Sequence, residues 1–462
     1  MLKHLERIFT VCAILFYAGA FALLLNQQSA QSFDEKPQNA VMAAIQKQAD
    51  SESSDPTQAN TALLVGQIVV YSMVAVLLII HRREAMDYLR NTKLVWAIVV
   101  LAFVSVLWSD APGFALRRCV NLAATSAFGL YLAFRYSQRQ LLQLLCWACA
   151  LAIVGSLIVV ALRPDVGIDS ALTNNAWRGV FVQKNTFGRL MSLGVLVSLF
   201  LAFDSKTYRW AYSISAMLCA SMIVAARSAT SAMAVPILLA LLWLFTKARQ
   251  RSMLRVCVTA SLVLIGITSA LALLFDSSDL AALLGRDTTL SGRVDIWSAV
   301  LPKILDQPWL GYGYSTFWMG MESQASADIW SILHWHVPHS HNGFLDLVEE
   351  LGVVGLVLFL AGMIVSARCG LNWARQQSSI IGLWPLTYIS FMFLFNLSEG
   401  SILRQDNLFW VLYVAATVFV VNEARNVLPT PIEGQLGNPA PSHAAGYASL
   451  AYQSESVGSR WP

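Results

Sequence analysis

The stretch Leu141 to Leu162, LLQLLCWACALAIVGSLIVVAL, runs for 22 positions without a charged residue. A helix that crosses the hydrocarbon of a bilayer needs about 20 such residues. The stretch therefore reads as a membrane span, and the rest of the chain repeats the pattern. Hydrophobic residues make up 56% of the 462, and charged residues only 13%, about half the share usual in soluble domains. That composition excludes a disordered chain, a disulfide-rich secreted domain and an ordinary cytosolic enzyme.

Twelve candidate spans follow, at approximately 8–25, 62–80, 94–108, 119–134, 141–162, 187–203, 210–225, 233–246, 256–275, 344–367, 380–397 and 407–422. The first holds Ala18-Gly19-Ala20, which imitates a signal-peptidase site, but Phe21 to Leu25 extends the apolar run beyond it. It reads as an uncleaved anchor. The expected fold is an all-α polytopic membrane protein with about 12 transmembrane helices. Residues 1–275 form an N-terminal transmembrane region of about nine helices with an outward loop at 26–61. Residues 276–343 form a large outward loop carrying short helices, and 344–422 the last spans. The tail 423–462, rich in Pro, Gly, Ser and Ala, is expected to be disordered. No internal repeat of the transporter kind is visible.

The net charge of +4 is too small and dispersed for a nucleic-acid partner. Its placement sets the orientation instead. With the N-terminus inside, 18 of the 31 Lys and Arg fall on about 94 inside residues and 12 on about 153 outside ones, with Arg189 within a span. Both termini are then inside and the long loops outside. The seven cysteines all lie in apolar runs or at their edges. Cys146 and Cys149 form a CxxC, read as two small residues one turn apart on a buried helix rather than as a redox motif.

Chemistry concentrates in the outward segments. Leu290, Val294, Trp297, Leu301 and Ile304 recur at helical steps and predict a helix over 289–306 lying on the membrane surface. Pro302 is expected to break or kink it, and Arg293 and Asp295 fall off its apolar stripe. Next, DQPWLGYGYSTFW at Asp306 to Trp318 crowds Trp309, Tyr312, Tyr314, Phe317 and Trp318 around a tight Pro- and Gly-containing turn. Aromatic faces with polar edges suit sugar rings; they also suit a membrane-interface belt. Four of seven histidines then fall within His334 to His341. They offer a general base, a metal site or a merely His-rich loop. No cysteine and no strongly placed carboxylate accompanies them, so no metal is expected. His341 stands apart, because a helix begins directly after it.

Arginines are the second ingredient. Arg189 interrupts the apolar run FGRLMSLGVL, where it either snorkels to the interface or faces a polar cavity. Arg178 and Lys184 lie just upstream, and Arg227 sits in a short outward turn. As a set with Arg293, these outward cations are candidates to clamp a pyrophosphate.

Three segments resemble the O-antigen ligase and Wzy-type polysaccharide polymerase superfamily, more closely its exopolysaccharide polymerase branch. They are SGRVDIW with DQPWLGYGYSTFW, HSHNGFLDLVEELGVVG at His339 to Gly355, and RGVFVQKNTFGRLMSL at Arg178 to Leu193. His341-Asn342, nine residues and Gly352 fit the family's His-Asn-x9-Gly pattern. The resemblance implies a metal-independent, inverting glycosyltransferase of GT-C architecture, without cofactor, in a bacterial inner membrane with its active site in the periplasm. It implies undecaprenyl-pyrophosphate-linked oligosaccharides as donor and acceptor, and a flippase and a chain-length regulator as pathway partners. It assigns the catalytic base to His341. It carries donor pyrophosphate binding to Arg293 and Arg189, with Arg227 a looser match, and the neighbouring cations Arg178 and Lys184 join them as candidates from the residues alone. Glycan contacts fall to Trp309, Tyr312, Tyr314, Trp318, His339 and Asn342.

Three alternatives stay open: a ligase with a lipid-core acceptor, a polytopic transporter or flippase, and a His-rich metal sensor. Transporters usually place functional charge at the midplane, whereas here it gathers at one face. The topology has a direct check. In an otherwise cysteine-free chain, Pro338→Cys should react with a membrane-impermeant maleimide from the outer side only; labelling from the cytoplasm alone would reverse the assignment.

Overall fold

A computed structural model describes residues 2–20, 61–169, 175–248, 293–334 and 336–426. The candidate span at 256–275, most of the loop 26–61 and the tail from 427 lie outside the described residues. The described part is almost entirely helical; a two-residue antiparallel pairing of Ile168–Asp169 with Ala176–Trp177 is its one sheet. Among the described residues, six helices are long and apolar enough to cross a membrane, and seven if one bent pair counts as a span. They include Thr61–Ile80 (α1), Gln138–Leu162 (α2), Lys184–Asp204 (α3), Ala229–Ala248 (α4), Gly343–Gln376 (α5) and Leu408–Asn426 (α6).

Several expected spans differ in form from these. Arg209–Ala225 and Ile380–Asn396 are shorter apolar helices. Pro112–Arg135 is a helix of 24 residues whose Arg117 and Arg118 lie in its first two turns. The candidate at 94–108 belongs to the bent pair: Arg82–Asn91 meets Lys93–Leu107 at 90°. Thr92 makes the corner. Its hydroxyl donates to the Tyr88 and Leu89 carbonyls (3.0 and 3.3 Å) and accepts from Trp96 Nε1 (3.0 Å). The polar arm, with Arg82, Arg83 and Arg90, has the composition of an interfacial helix.

Burial sorts the bundle. Helices α3 and α6 are central, whereas α1 exposes most of its surface. The peripheral α1 is tied in by Gln67 and Tyr71, which donate to the two oxygens of Asp406 (2.9 and 2.6 Å). Trp410 on α6 donates to Ser126 (2.9 Å). Six described cysteines are free, and Cys149 and Cys219 pack against Gly194 inside the bundle, as the apolar reading of the CxxC expects.

A small second core lies in the segment that precedes α5. Ile296, Ala299 and Val300 pack with Phe317, Ala325, Ile329 and Val337. This corrects the expected helix in two ways. Arg293–Asp306 is helical straight through Pro302. Pro302 sits on the exposed side, so the Ser298 carbonyl it leaves unpaired can be hydrated. The buried face is Ile296, Ala299 and Val300, flanked by Trp297 and Ile304, while Val294 and Leu301 are half-exposed.

The loop docks on α5 at a deliberate break. Gly352 has φ 62° and ψ −168°, a conformation open almost only to glycine. The helix therefore cannot pair its own groups there. Instead Val353 and Val354 donate to the Pro308 and Trp309 carbonyls (2.8 and 3.2 Å). In return, Tyr312 and Gly313 donate to the freed Glu349 and Glu350 carbonyls (2.9 and 3.0 Å). A Cβ on Gly352 would also overlap the Trp309 carbonyl. Gly352→Ala should accordingly cost at least about 2 kcal/mol, read as a lowered thermal-unfolding midpoint in detergent; an unchanged midpoint would mean the break is not structural.

Candidate functional site

The turns of α5 before the break aim one short segment. Asn342 caps α5: its Oδ1 accepts from Phe344 and Leu345 (3.0 and 3.3 Å). Ser340 is clamped on all sides. Its N–H donates to Asp346 Oδ1 (2.9 Å), its hydroxyl to Glu349, and its carbonyl accepts from Trp297 Nε1 (2.9 Å). Glu349 is fully buried and also accepts from Trp318 Nε1 (2.6 Å). Between these fixed neighbours His341 adopts a left-handed backbone, φ 51°. Its N–H donates to His339 Nδ1 (3.0 Å), and the two rings lie 4.1 Å apart.

Facing them is a carboxylate that the sequence reading did not select. Glu399 lies in the turn between Trp384–Asn396 and α6 and is 8% exposed. Its Oε2 is 3.8 Å from His341 Nδ1, an ion-pair separation longer than a hydrogen bond. Its Oε1 accepts from Asn185 Nδ2 (2.9 Å) and lies 3.6 Å from Arg293 Nη2. Two residues on, Ser401 accepts from Arg189 Nη1 (2.5 Å). Arg189 does not snorkel: it is buried, with its guanidinium 4.1 Å over the Phe409 ring. Gly188 lets this turn of α3 close on Ser228 and Ser231; a Cβ there would come within 2.7 Å of Ser228.

The structure thus brings His341, His339, Arg189 and Arg293 together and adds Glu399, Asn185 and Ser401. Other predicted residues lie elsewhere. Arg178 donates from Nε to the Val166 carbonyl (2.9 Å), bracing the turn after α2. Arg227 is exposed on a left-handed turn (φ 47°), while its neighbour Ser228 reaches Asn185 (3.4 Å). Lys184 opens α3. Among the aromatics, Trp309 is exposed and Tyr312 donates to the Lys303 carbonyl (2.9 Å). Tyr314 is buried, its hydroxyl donating to the Leu403 carbonyl (2.5 Å). It also lines a hollow with Trp318, Asp346 and Arg404. His334 caps Gln324–Leu333 and His336 stacks on Trp330 at 4.2 Å, so the histidine run divides into two pairs.

Glu399 had one available signal. The turn 398–406 lies between the last two spans, on the same side as His341 by the charge count. It contributes a carboxylate there, but nothing in linear spacing points from 399 back to 341.

Charge settles each group's role. Burial alone would lift the Glu399 pKa, but His341, Arg189 and His339 hold it down at about 2. Burial, together with His341 and Arg404, drives the His339 pKa well below its ordinary 6.5. Glu399 is therefore an anion and His339 neutral near pH 7. His339, His341 and Glu399 each offer one atom within 4.8 Å of the others, a set that could hold a metal ion. Two guanidinium groups share that space and compete for the carboxylate. Linkage gives a test. The unfolded chain binds the His339 proton first, so stability falls as pH drops below about 6.5. The Glu399 contribution is fully present above its unfolded pKa of 4.5 and is lost progressively as pH falls from there to about 2. From pH 7 to pH 5 the unfolding midpoint in detergent should change less favourably for the wild type than for His339→Gln, which lacks this contribution; an equal slope in the variant would contradict the assignment.

With this geometry in hand, known proteins can be compared. The O-antigen ligase family (Wzy_C) matches residues 212–360, which include Arg227, Arg293, the aromatic loop and His341. The exopolysaccharide production protein ExoQ of Rhizobium meliloti (strain 1021) is 24% identical over 317 residues, 66% of this chain and 71% of that protein. Proteins of Rickettsia conorii and Rickettsia felis, each named "Putative polysaccharide ligase", are 34% identical over 79 residues, 17% of this chain and 19% of theirs. The resemblance to the O-antigen ligase and Wzy-type family that the motifs carried is thereby shown. The Arg178 to Leu193 segment lies upstream of the family match.

Proposed function

We propose that this chain, similar over residues 212–360 to the O-antigen ligases, is an inverting glycosyltransferase of GT-C type. It joins glycan repeat units carried on undecaprenyl pyrophosphate at the periplasmic face of the bacterial inner membrane. The similarity to an exopolysaccharide production protein favours a polymerase, with a second lipid-linked unit as acceptor. A flippase and a chain-length regulator are the expected partners in the pathway. One observation carries the reading. His341, Glu399, Arg293 and Arg189 come from segments far apart in the chain, yet they converge on one buried turn.

The roles follow from charge. A sugar hydroxyl is a weak nucleophile until a base takes its proton. His341 Nδ1 is buried, has no hydrogen-bond partner and faces the Glu399 anion. A proton on Nδ1 would point at that carboxylate and leave Nε2 free to accept. Glu399 then fixes the tautomer and stabilises the imidazolium that forms. Apo geometry is commonly looser than the reacting one, and 3.8 Å is within that range. As the acceptor oxygen bonds to the anomeric carbon, the bond to the lipid pyrophosphate breaks and its oxygen keeps the electron pair. Arg293 and Arg189 supply positive charge for that leaving group. The arginines need no metal beside them, and Glu399 is already engaged by Asn185 and Arg293.

Purified protein with lipid-linked repeat units should lengthen chains in the presence of chelator. His341→Ala should lower that rate by about 10²- to 10⁴-fold at unchanged expression. Retained elongation in the variant would remove His341 as base, and loss of wild-type activity to chelator would reinstate a metal.

A further inference from the structure

A second hollow lies beside the His341 cluster, lined by other side chains. Its volume is about 130 Å³, room for on the order of ten waters, close to the heavy-atom count of one hexose. Arg118, Trp318, Asp346, Glu350, Gly400 and Arg404 line it. Two of these carry buried polar atoms with nothing to bind. Asp346 is 9% exposed; Oδ1 accepts from Ser340, but Oδ2 is buried and unpartnered. Arg118 Nε is also buried and unpartnered, its guanidinium held 4.8 Å over the Phe114 ring. Arg404 stands exposed and Glu350 half-buried.

An unmet buried acceptor and an unmet buried donor each carry a desolvation cost. Hydroxyl groups satisfy both, since each donates and accepts. A phosphate would set acceptor against acceptor at Asp346 Oδ2, and a lipid tail would leave every polar group unpaired. The mixed lining contrasts with the cationic side of the site, where Arg189 and Arg293 suit a dianion. The hollow also shares walls with the proposed base. Gly400 lies between Glu399 and Ser401, and Asp346 holds Ser340, the residue before His341.

We propose that this hollow is the acceptor-sugar pocket, taking one neutral pyranose ring of the acceptor glycan between Arg118, Asp346, Glu350 and Arg404. The assignment rests on the proposed glycosyl transfer, so its test reads binding rather than turnover. Full-length His341→Ala protein in nanodiscs is mixed with glucose, galactose, mannose or rhamnose, and saturation transfer from protein to sugar protons is measured. At least one sugar should receive saturation, and inorganic pyrophosphate should not displace it. Arg404→Ala, at an exposed position, and Glu350→Gln should each weaken the binding by about tenfold, the effect of losing one hydrogen bond to a charged group. In the active chain, Arg404→Ala should raise the acceptor KM by a similar factor with donor KM unchanged. No transfer to any of the sugars, transfer unaffected by Arg404→Ala, or displacement by pyrophosphate would overturn the pocket. Sugar binding without any elongation by the wild type would instead reject the glycosyl-transfer reading and leave the pocket standing.

Discussion

A helix inside a bilayer satisfies its own backbone, and any break strands amides and carbonyls that lipid cannot pair. At Gly352 the chain breaks such a helix and repairs it with four hydrogen bonds exchanged with Pro308, Trp309, Tyr312 and Gly313. The repair fixes the loop that precedes α5 against that helix's first three turns. Those turns carry Asp346 and Glu349, which hold Ser340 and so aim His341. Remove the exchange and the loop has no docking edge; the histidine then has no fixed direction. The nine residues between Asn342 and Gly352 set the distance between a helix cap and this splice.

A second constraint is electrical. Arg189, Arg293, His341 and Glu399 could not be buried one at a time, because each isolated charge would cost several kcal/mol. Together, the Glu399 carboxylate offsets one of the two guanidinium charges, and Asn185 and Ser401 supply hydrogen bonds that the charges alone would lack. The turn at Glu399 thus holds the cationic elements in place. It also leaves guanidinium groups poised for a further anion.

Much of this was legible in the residues. Apolar runs announced the spans, although Arg117 and Arg118 inside one helix and the corner at Thr92 show why twelve runs do not become twelve equal rods. Arg189 stood out because charge near lipid is costly, Arg293 as a cation off an apolar stripe, and His341 because a helix begins directly after it. Glu399 did not, since a single carboxylate in a short turn looks like solvation until the turn is folded back on α5. For Tyr314 the residues showed only part: its hydroxyl is taken by the Leu403 carbonyl, while the residue lines the hollow beside Trp318 and Asp346. Arg178 is likewise taken by a backbone carbonyl, a contact that no spacing rule reveals.

The left-handed turn at His341 has an implication for how this position can vary. Glycine, asparagine, aspartate and histidine are the side chains most at ease in that backbone region, and β-branched residues are excluded from it. Of the four, imidazole alone combines tolerance of the turn with basicity near neutral pH. Shape and acidity constant therefore select the same residue independently, leaving no neighbouring substitution that keeps both.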